Sequence, residues 1–328
     1  MPAGEFNRDE NRDPDRDRSG ASGRDGNRSA ARPLVVVVGG RTDTGRVRAI
    51  NEDAYLVAAL GDDGVVTKGN TSLLTVPRTP VMMVVADGVG GAASGEIASL
   101  MATDTMLIEL RRRYERAWTA GHAAVEVALR SAIAAANHVI YTYSAGNPQH
   151  RGMATTATLA IVHDGIISLA QIGDSRAYLV RGGEARQITK DQSLVQRLVD
   201  AGEITEQEAA QSDRRNIILQ ALGSEPNVAP DIYREKAEVG DVLLLCSDGL
   251  SNHVKRDDIS RIALADDDMG AVCERLVACA NSRGGYDNIT VVSARFEPAD
   301  PNSARLPEGA TQESAYQGLS GRVRRWLR

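Results

Sequence analysis

Apolar residues follow two rhythms along the chain. Short unbroken runs occupy Leu34–Val38, Ala54–Ala59, Val81–Ala86, 155–163, 166–172, 176–181, Val242–Cys246 and Ile289–Phe296. Each is too short for a core helix and rich in branched residues, so each predicts a strand. Gly182-Gly183 predicts a hairpin turn. Stripes at helical spacing lie between the runs. Ile97, Leu100, Met101 and Leu107 predict a helix from about Ser94 to Tyr114. Val125, Ala128, Leu129, Ala132, Ile133, Ala136 and Ile140 share one face of a second helix. Two more helices are expected near 257–264 and 269–281. Residues 61–80 are rich in Gly, Thr, Asp and Pro and read as a loop, and 191–222 mix helix and loop. Strands clustered apart from helix pairs predict an α+β fold rather than alternating βαβ units.

The flanks break this pattern. Residues 1–33 are Arg, Asp, Gly, Asn and Ser with almost nothing apolar, so they are expected to be a disordered tail. Residues 299–328 read as a flexible tail that ends basic, with Trp326 among arginines. A stretch with continuous apolar patterning is left over 34–298, enough for one well-buried core, and no internal repeat stands out. The chain of 328 residues is 42% hydrophobic and 25% charged, which excludes overall disorder. No run of eighteen apolar residues exists, and no apolar run follows the N-terminal charges, so neither a membrane span nor a secretory signal is expected. A net charge of −6 argues against a nucleic-acid partner. Cys246, Cys273 and Cys279 form no CxxC pair and read as reduced, buried side chains, which predicts a cytoplasmic protein. Only Lys68, Lys190, Lys236 and Lys255 are lysine among 38 basic residues, a bias of GC-rich bacterial genomes.

Four aspartates sit at predicted strand ends. Asp53 and Asp287 precede strands; Asp87 and Asp248 follow them. In antiparallel sheets the exit of one strand and the entry of its neighbour share an edge, so the four can converge. Clustered carboxylates repel unless a cation neutralises them, and oxygen-only donors suit Mg²⁺ or Mn²⁺. Any one of them alone reads as a turn former. Gly88, Gly90 and Gly91 after the third strand would let main-chain carbonyls approach an ion. Arg48, four residues before Glu52, offers the fixed guanidinium that a phosphate needs.

Six segments then fall into a known order: Gly45-Arg46-Val47-Arg48-Ala49-Ile50-Asn51-Glu52-Asp53, Val85-Ala86-Asp87-Gly88-Val89-Gly90-Gly91, Gly152-Met153-Ala154-Thr155-Thr156, Ile172-Gly173-Asp174-Ser175-Arg176-Ala177-Tyr178, Cys246-Ser247-Asp248-Gly249-Leu250 and Gly284-Gly285-Tyr286-Asp287-Asn288-Ile289-Thr290. Together, over roughly 35–297, they closely resemble the metal-dependent Ser/Thr protein phosphatases of type 2C (the PPM family), bacterial kind. The resemblance implies a sandwich of two antiparallel β-sheets flanked by pairs of α-helices. It implies that Asp53, Asp87, Asp248 and Asp287, with the carbonyl of Gly88, hold two Mn²⁺ or Mg²⁺ ions. Asp174 with Asp248 would hold a third, although Gly-Asp-Ser between strands also reads as a plain turn. Arg48 would bind the substrate phosphate. The implied reaction is direct hydrolysis of phosphoserine or phosphothreonine by a water that two ions acidify, with no covalent intermediate. Consistently, no cysteine is followed by arginine six residues on. The implied partners are phosphoproteins, including a Ser/Thr kinase and its substrates, and the chain is expected to act as a monomer.

The sequence departs from the family at several points. Val89 stands where animal members carry histidine, and bacterial relatives commonly have an apolar residue there too. Gln171 replaces His or Asn, Asp191-Gln192-Ser193 replaces Asp-His-Ser, Ala154 replaces Gly, and Leu219-Gln220-Ala221-Leu222-Gly223 replaces Thr-Arg-Ala-Leu-Gly. His122, His138, His150, His163 and His253 make no ligand pair; His150, Arg151 and His253 lie near the motifs. Residues 191–211 resemble the flap of bacterial members, with Glu203, Glu206 and Glu208 expected on a solvated helix face. One alternative is a non-catalytic phosphoprotein-binding module that uses Gln171 and Gln192 for recognition. A two-metal phosphodiesterase or nuclease is a second, which the acidic surface disfavours.

Overall fold

The computed structural model describes residues 34–61, 66–67, 74–75, 79–90, 94–117 and 121–299. Its main strands are covered on both faces, which is why they read as unbroken apolar runs. Strand β2 (Asp53–Ala59) shows the division. Tyr55, Val57 and Ala59 point into a cluster with Val36, Met83, Val85, Leu243, Leu245 and Phe296. Leu56 and Ala58 point the other way, toward Met101, Leu107, Leu129 and Ile133.

The first cluster lies between two antiparallel sheets. Besides β2, the strands are β1 (Leu34–Asp43), β3 (Val66–Thr67), β4 (Leu74–Thr75), β5 (Val81–Val89), β6 (Ala154–Thr155), β7 (Ala157–His163), β8 (Ile166–Ile172), β9 (Arg176–Arg181), β10 (Glu184–Gln187), β11 (Asp231–Lys236), β12 (Val242–Cys246) and β13 (Ile289–Pro298). One sheet runs β10-β9-β12-β13-β1-β4, the other β11-β8-β7-β5-β2-β3, with β6 paired to the end of β5. Helices α1 (Ser94–Ala117) and α2 (His122–Gly146) cover the second sheet. Helices α6 (Arg256–Ala263) and α7 (Met269–Ser282) cover the first, through Ile259, Val272, Leu276 and Val277 against Val180, Leu244 and Val291. The expected layered sandwich of α+β class is therefore the observed one.

The differences from expectation are local. Residues 61–80 were expected to be loop throughout; β3 and β4 form there, each a two-residue addition to a sheet edge. Strands β10 and β11 carried no clear signal, because both are edge strands whose exposed side are charged: Glu184, Arg186, Asp231, Arg234 and Lys236. Gly182 and Gly183 do make the β9–β10 turn, with φ of 58° and 90°. Ala123–Gly146 is long and apolar enough, at a mean hydropathy of 1.2, to pass as a membrane span. Half of it is buried in this fold, where the Val125–Ile140 stripe packs on α1 and the sheet. The tails expected over 1–33 and beyond Ala299, together with Gly91, lie outside the described residues.

One close approach ties the layers together. A Cβ on Gly39 of β1 would sit 2.3 Å from the Met269 carbonyl carbon and 2.4 Å from the Gly270 nitrogen at the start of α7. Gly39→Ala forces backbone apart and is expected to cost about 2 kcal/mol. Urea denaturation measures it, and an unchanged midpoint would contradict so tight a contact between β1 and α7.

Candidate active site

Antiparallel pairing places Asp53 directly opposite Asp87. On β5, Val85 faces the space between the sheets and Ala86 faces the helices. Strand alternation therefore turns Asp87 back toward the sandwich interior, and the same parity with Tyr55 turns Asp53 there. The other sheet contributes from the same end. β12 runs antiparallel to β13, with Cys246 opposite Val291. Asp248, just past β12, and Asp287, just before β13, thus lie at one edge. Asp248 opens a short helix, α5 (Asp248–Ser251).

Hydrogen bonds to side chain or main chain fix these four residues. Ser247 Oγ donates to Asp53 Oδ2 at 2.7 Å. Asp53 Oδ1 is buried and has no partner. Thr156 Oγ1 accepts from the Asp87 amide at 3.0 Å, and Thr155 Oγ1 donates to the Asp87 carbonyl at 2.8 Å. Asp248 lies within hydrogen-bond reach of Asp87 and accepts from Asn252 Nδ2 at 3.1 Å. Arg48 Nη2 donates to Asp287 Oδ2 at 2.7 Å, with about half of the arginine side chain exposed. A Cβ on Gly88 would meet the Gly95 carbonyl oxygen at 2.2 Å, so only glycine fits beside Asp87.

The electrostatics follow from this crowding. Burial pushes the Asp53 carboxyl up to about 7, and the charges of Asp248 and Asp287 add to it. Asp87 is held well above the usual carboxylate range by burial and then by Asp53, Asp248, Asp174 and Asp287. Asp248 is raised by burial and by Asp287. Asp174, between β8 and β9, is raised to about 7 by burial, then by Asp248 and Asp191. Asp174, Asp248 and Asp287 line one cleft of about 650 Å³.

The donors fit a hard divalent cation. They are oxygens only, one is a buried carboxylate oxygen without a partner, and their mutual repulsion is what a cation relieves. Among the described residues, no three Asp, Glu, His or Cys side chains close on one point as a finished coordination sphere. The acids are gathered in pairs, Asp53 facing Asp87 and Asp87 within hydrogen-bond reach of Asp248.

Several supporting residues had no signal of their own. Asn288 is buried; its Oδ1 accepts from the Glu52 amide at 2.8 Å, and its Nδ2 donates to the carbonyls of Thr44 and Ile50 at 3.0 and 2.9 Å. It thereby pins the loop that carries Arg48. Glu52 accepts from the Gly95 amide at the start of α1, and burial raises its carboxyl. Ser247, Asn288 and Thr290 fall inside the recognised segments, but only contacts across the sheets show what they do.

Other expectations resolve less favourably for chemistry. Gln171 is fully buried; its amide donates to the carbonyls of Gly173 and Ser175, and its Oε1 accepts from Thr158. Gln192 accepts from the Gly173 amide at 3.0 Å and donates to Asp231 at 2.8 Å. Both hold the Asp174 loop, and Gln171 has no face left for recognising a ligand. His150 Nδ1 lies 3.2 Å from Ser94 Oγ, and His253 packs 5.5 Å from the Tyr286 ring. Glu208 is not merely solvated: it closes a capping box with Thr205 on helix α4 (Glu206–Gln211).

The sequence profile described as "Protein phosphatase 2C" matches residues 70–288. The serine/threonine phosphatase stp of Listeria monocytogenes is 35% identical over 252 residues, covering 77% of this chain and 92% of that protein. A crystal structure of a bacterial serine phosphatase superposes with a TM-score of 0.69 at 32% identity, over 80% of this chain and 98% of that one. The catalytic domain of the serine/threonine protein phosphatase PstP, solved in complex with 2 manganese ions, superposes with a TM-score of 0.64 at 34% identity, over 80% of this chain and 99% of that domain. The chain belongs to the protein phosphatase 2C family. It is a protein serine/threonine phosphatase of the bacterial kind, and its substrates are phosphoproteins.

The raised carboxyls make a pH prediction. Unfolded, Asp53 and Asp174 lose protons near 4; folded, near 7. Between these values the folded chain holds the extra protons, so stability falls as pH rises through the window. In chelator, the melting temperature is expected to drop from pH 5 to pH 8, and Asp53→Asn to flatten the drop. A melting temperature that rises over this range would contradict the assigned environment.

Proposed function

We propose that this phosphatase hydrolyses phosphoserine and phosphothreonine with a pair of divalent ions held by Asp53, Asp87, Asp248 and Asp287, with the Gly88 carbonyl contributing. The placement of these four carboxylates at one end of the two sheets, where Asp53, Asp87 and Asp248 each feel the charge of other members, carries the reading. Mn²⁺ is the preferred occupant, since it is what the PstP domain holds; Mg²⁺ offers the same hard acidity. We assign Asp174, with Asp248, to a third ion. When bound, the ions supply Lewis acidity and an acidified water.

The chain's own residues do the positioning. Ser247 binds one oxygen of Asp53 and leaves the other, buried and without a partner, for an ion. Arg48 spends one nitrogen on Asp287 and keeps its other donors for the phosphate oxygens, where a guanidinium meets two at once. Asn288 keeps that loop from moving away as charge shifts during the displacement. Preorganised donors of this kind need no rearrangement at the moment of reaction. Val89, 45% exposed, supplies no proton donor beside Asp87. In the cell, the chain would reverse the action of a Ser/Thr kinase.

The test is phosphate release from a phosphothreonine peptide. Release is expected with Mn²⁺, none with chelator, and none from Asp248→Asn. Activity that survives chelation would overturn the reading. Arg48→Ala is expected to lower kcat/KM by about tenfold to a hundredfold, as for a charge-assisted phosphate contact. An unchanged kcat/KM removes Arg48 from the phosphate site.

A further inference from the structure

The cleft that contains Asp174, Asp248 and Asp287 extends beyond them. At about 650 Å³ it takes a few residues of peptide rather than one phosphorylated side chain. One wall is the segment from Ser193 to Asn216, with helix α3 (Leu194–Asp200) and α4. The other is built by α5, the first residue of α6 and Tyr286.

Three guanidiniums line this cleft, and they differ in their partners. Arg176 is bound at two points to Asp191, at 2.9 and 2.6 Å. Arg256 contacts only the neutral Gln187 Oε1, at 3.5 Å, and Arg215 makes no side-chain hydrogen bond or ion pair among the described residues. Glu206 lines the same wall but pairs with neither. Both open guanidiniums are solvent-exposed. Arg215 lies on one wall and Arg256 on the other wall of the cleft that Asp174, Asp248 and Asp287 also line. A fixed positive charge at a substrate channel, without an internal counter-ion, is placed to receive an anion from the substrate.

We propose that Arg215 and Arg256 form a subsite for a second anionic group on the phosphoprotein, a carboxylate or another phosphate, displaced along the chain from the phosphate that is hydrolysed. The proposal rests on the reading of the acidic cluster as the hydrolytic centre. It makes the enzyme selective for phosphorylated segments rich in acid. The attraction is between exposed charges, so it weakens with salt.

The test compares phosphothreonine peptides of one length with neutral flanks, with glutamate flanks, or with a non-hydrolysable phosphonate in place of a second phosphate. The quantity read is each peptide's kcat/KM divided by that for p-nitrophenyl phosphate, in Mn²⁺ at low salt. The acidic peptides are expected to exceed the neutral one by about tenfold in the intact enzyme, and by less than about twofold in the Arg215→Ala, Arg256→Ala double variant. The lysine double variant should retain part of the gain. A gain with the phosphonate alone assigns the subsite to phosphate; a gain with both assigns it to any anion. No acidic preference in the intact enzyme, or a full preference in the double variant, overturns the proposal. Loss of turnover on every substrate would count instead against the hydrolytic reading. The subsite would then still be judged by fluorescence anisotropy of a labelled phosphonate peptide, which should bind the intact chain and not the double variant.

Discussion

Repulsion among carboxylates packed out of water is the constraint on which this structure turns. Asp53 and Asp87 face each other on neighbouring strands, and Asp248 reaches Asp87 from the opposite sheet. Burial alone raises each carboxyl, and the others raise it further. A protein without use for a cation would replace such a cluster with apolar side chains at no loss of stability. The fold instead spends hydrogen bonds on holding it: Ser247 to Asp53, Thr156 to Asp87, Asn252 to Asp248, and Arg48 to Asp287.

The sandwich is what makes the cluster geometrically possible. Each sheet is antiparallel, so strand entries and exits alternate along one edge. Two sheets stacked face to face bring two such edges together. Three apolar layers hold them there, one between the sheets and one under each helix pair. The helices also reach the site directly, since Glu52 accepts from the first turn of α1 and Gly88 packs without a Cβ on Gly95.

Much of this was legible in the sequence. The strands buried on both faces announce themselves as apolar runs, and the α2 stripe from Val125 to Ile140 has only one sensible period. Asp53, Asp87, Asp248 and Asp287 were visible because each interrupts such a run at its end. What escaped was whatever depends on contacts far apart in the chain. Asn288 looks like a turn residue, yet its amide holds a loop 244 and 238 residues away, at Thr44 and Ile50. Gln171 and Gln192, recognition groups only in the non-catalytic alternative, are struts for the Asp174 loop, Gln171 fully buried and Gln192 through its bond with the Gly173 amide. Edge strands β10 and β11 escaped because solvent on one side erases the apolar run.

The segment that begins at Asp191 touches both the Asp174 loop and the cleft. Asp191 and Gln192 at its root bind Arg176 and Gly173, on either side of Asp174. Beyond them the same segment forms one wall of the cleft that Asp174, Asp248 and Asp287 line. The most direct measurement of the central claim is anomalous diffraction at the manganese edge from crystals of this chain grown with Mn²⁺. Two peaks enclosed by Asp53, Asp87, Asp248 and Asp287 are the predicted result. Manganese bound elsewhere, with these four carboxylates left uncoordinated, would contradict it.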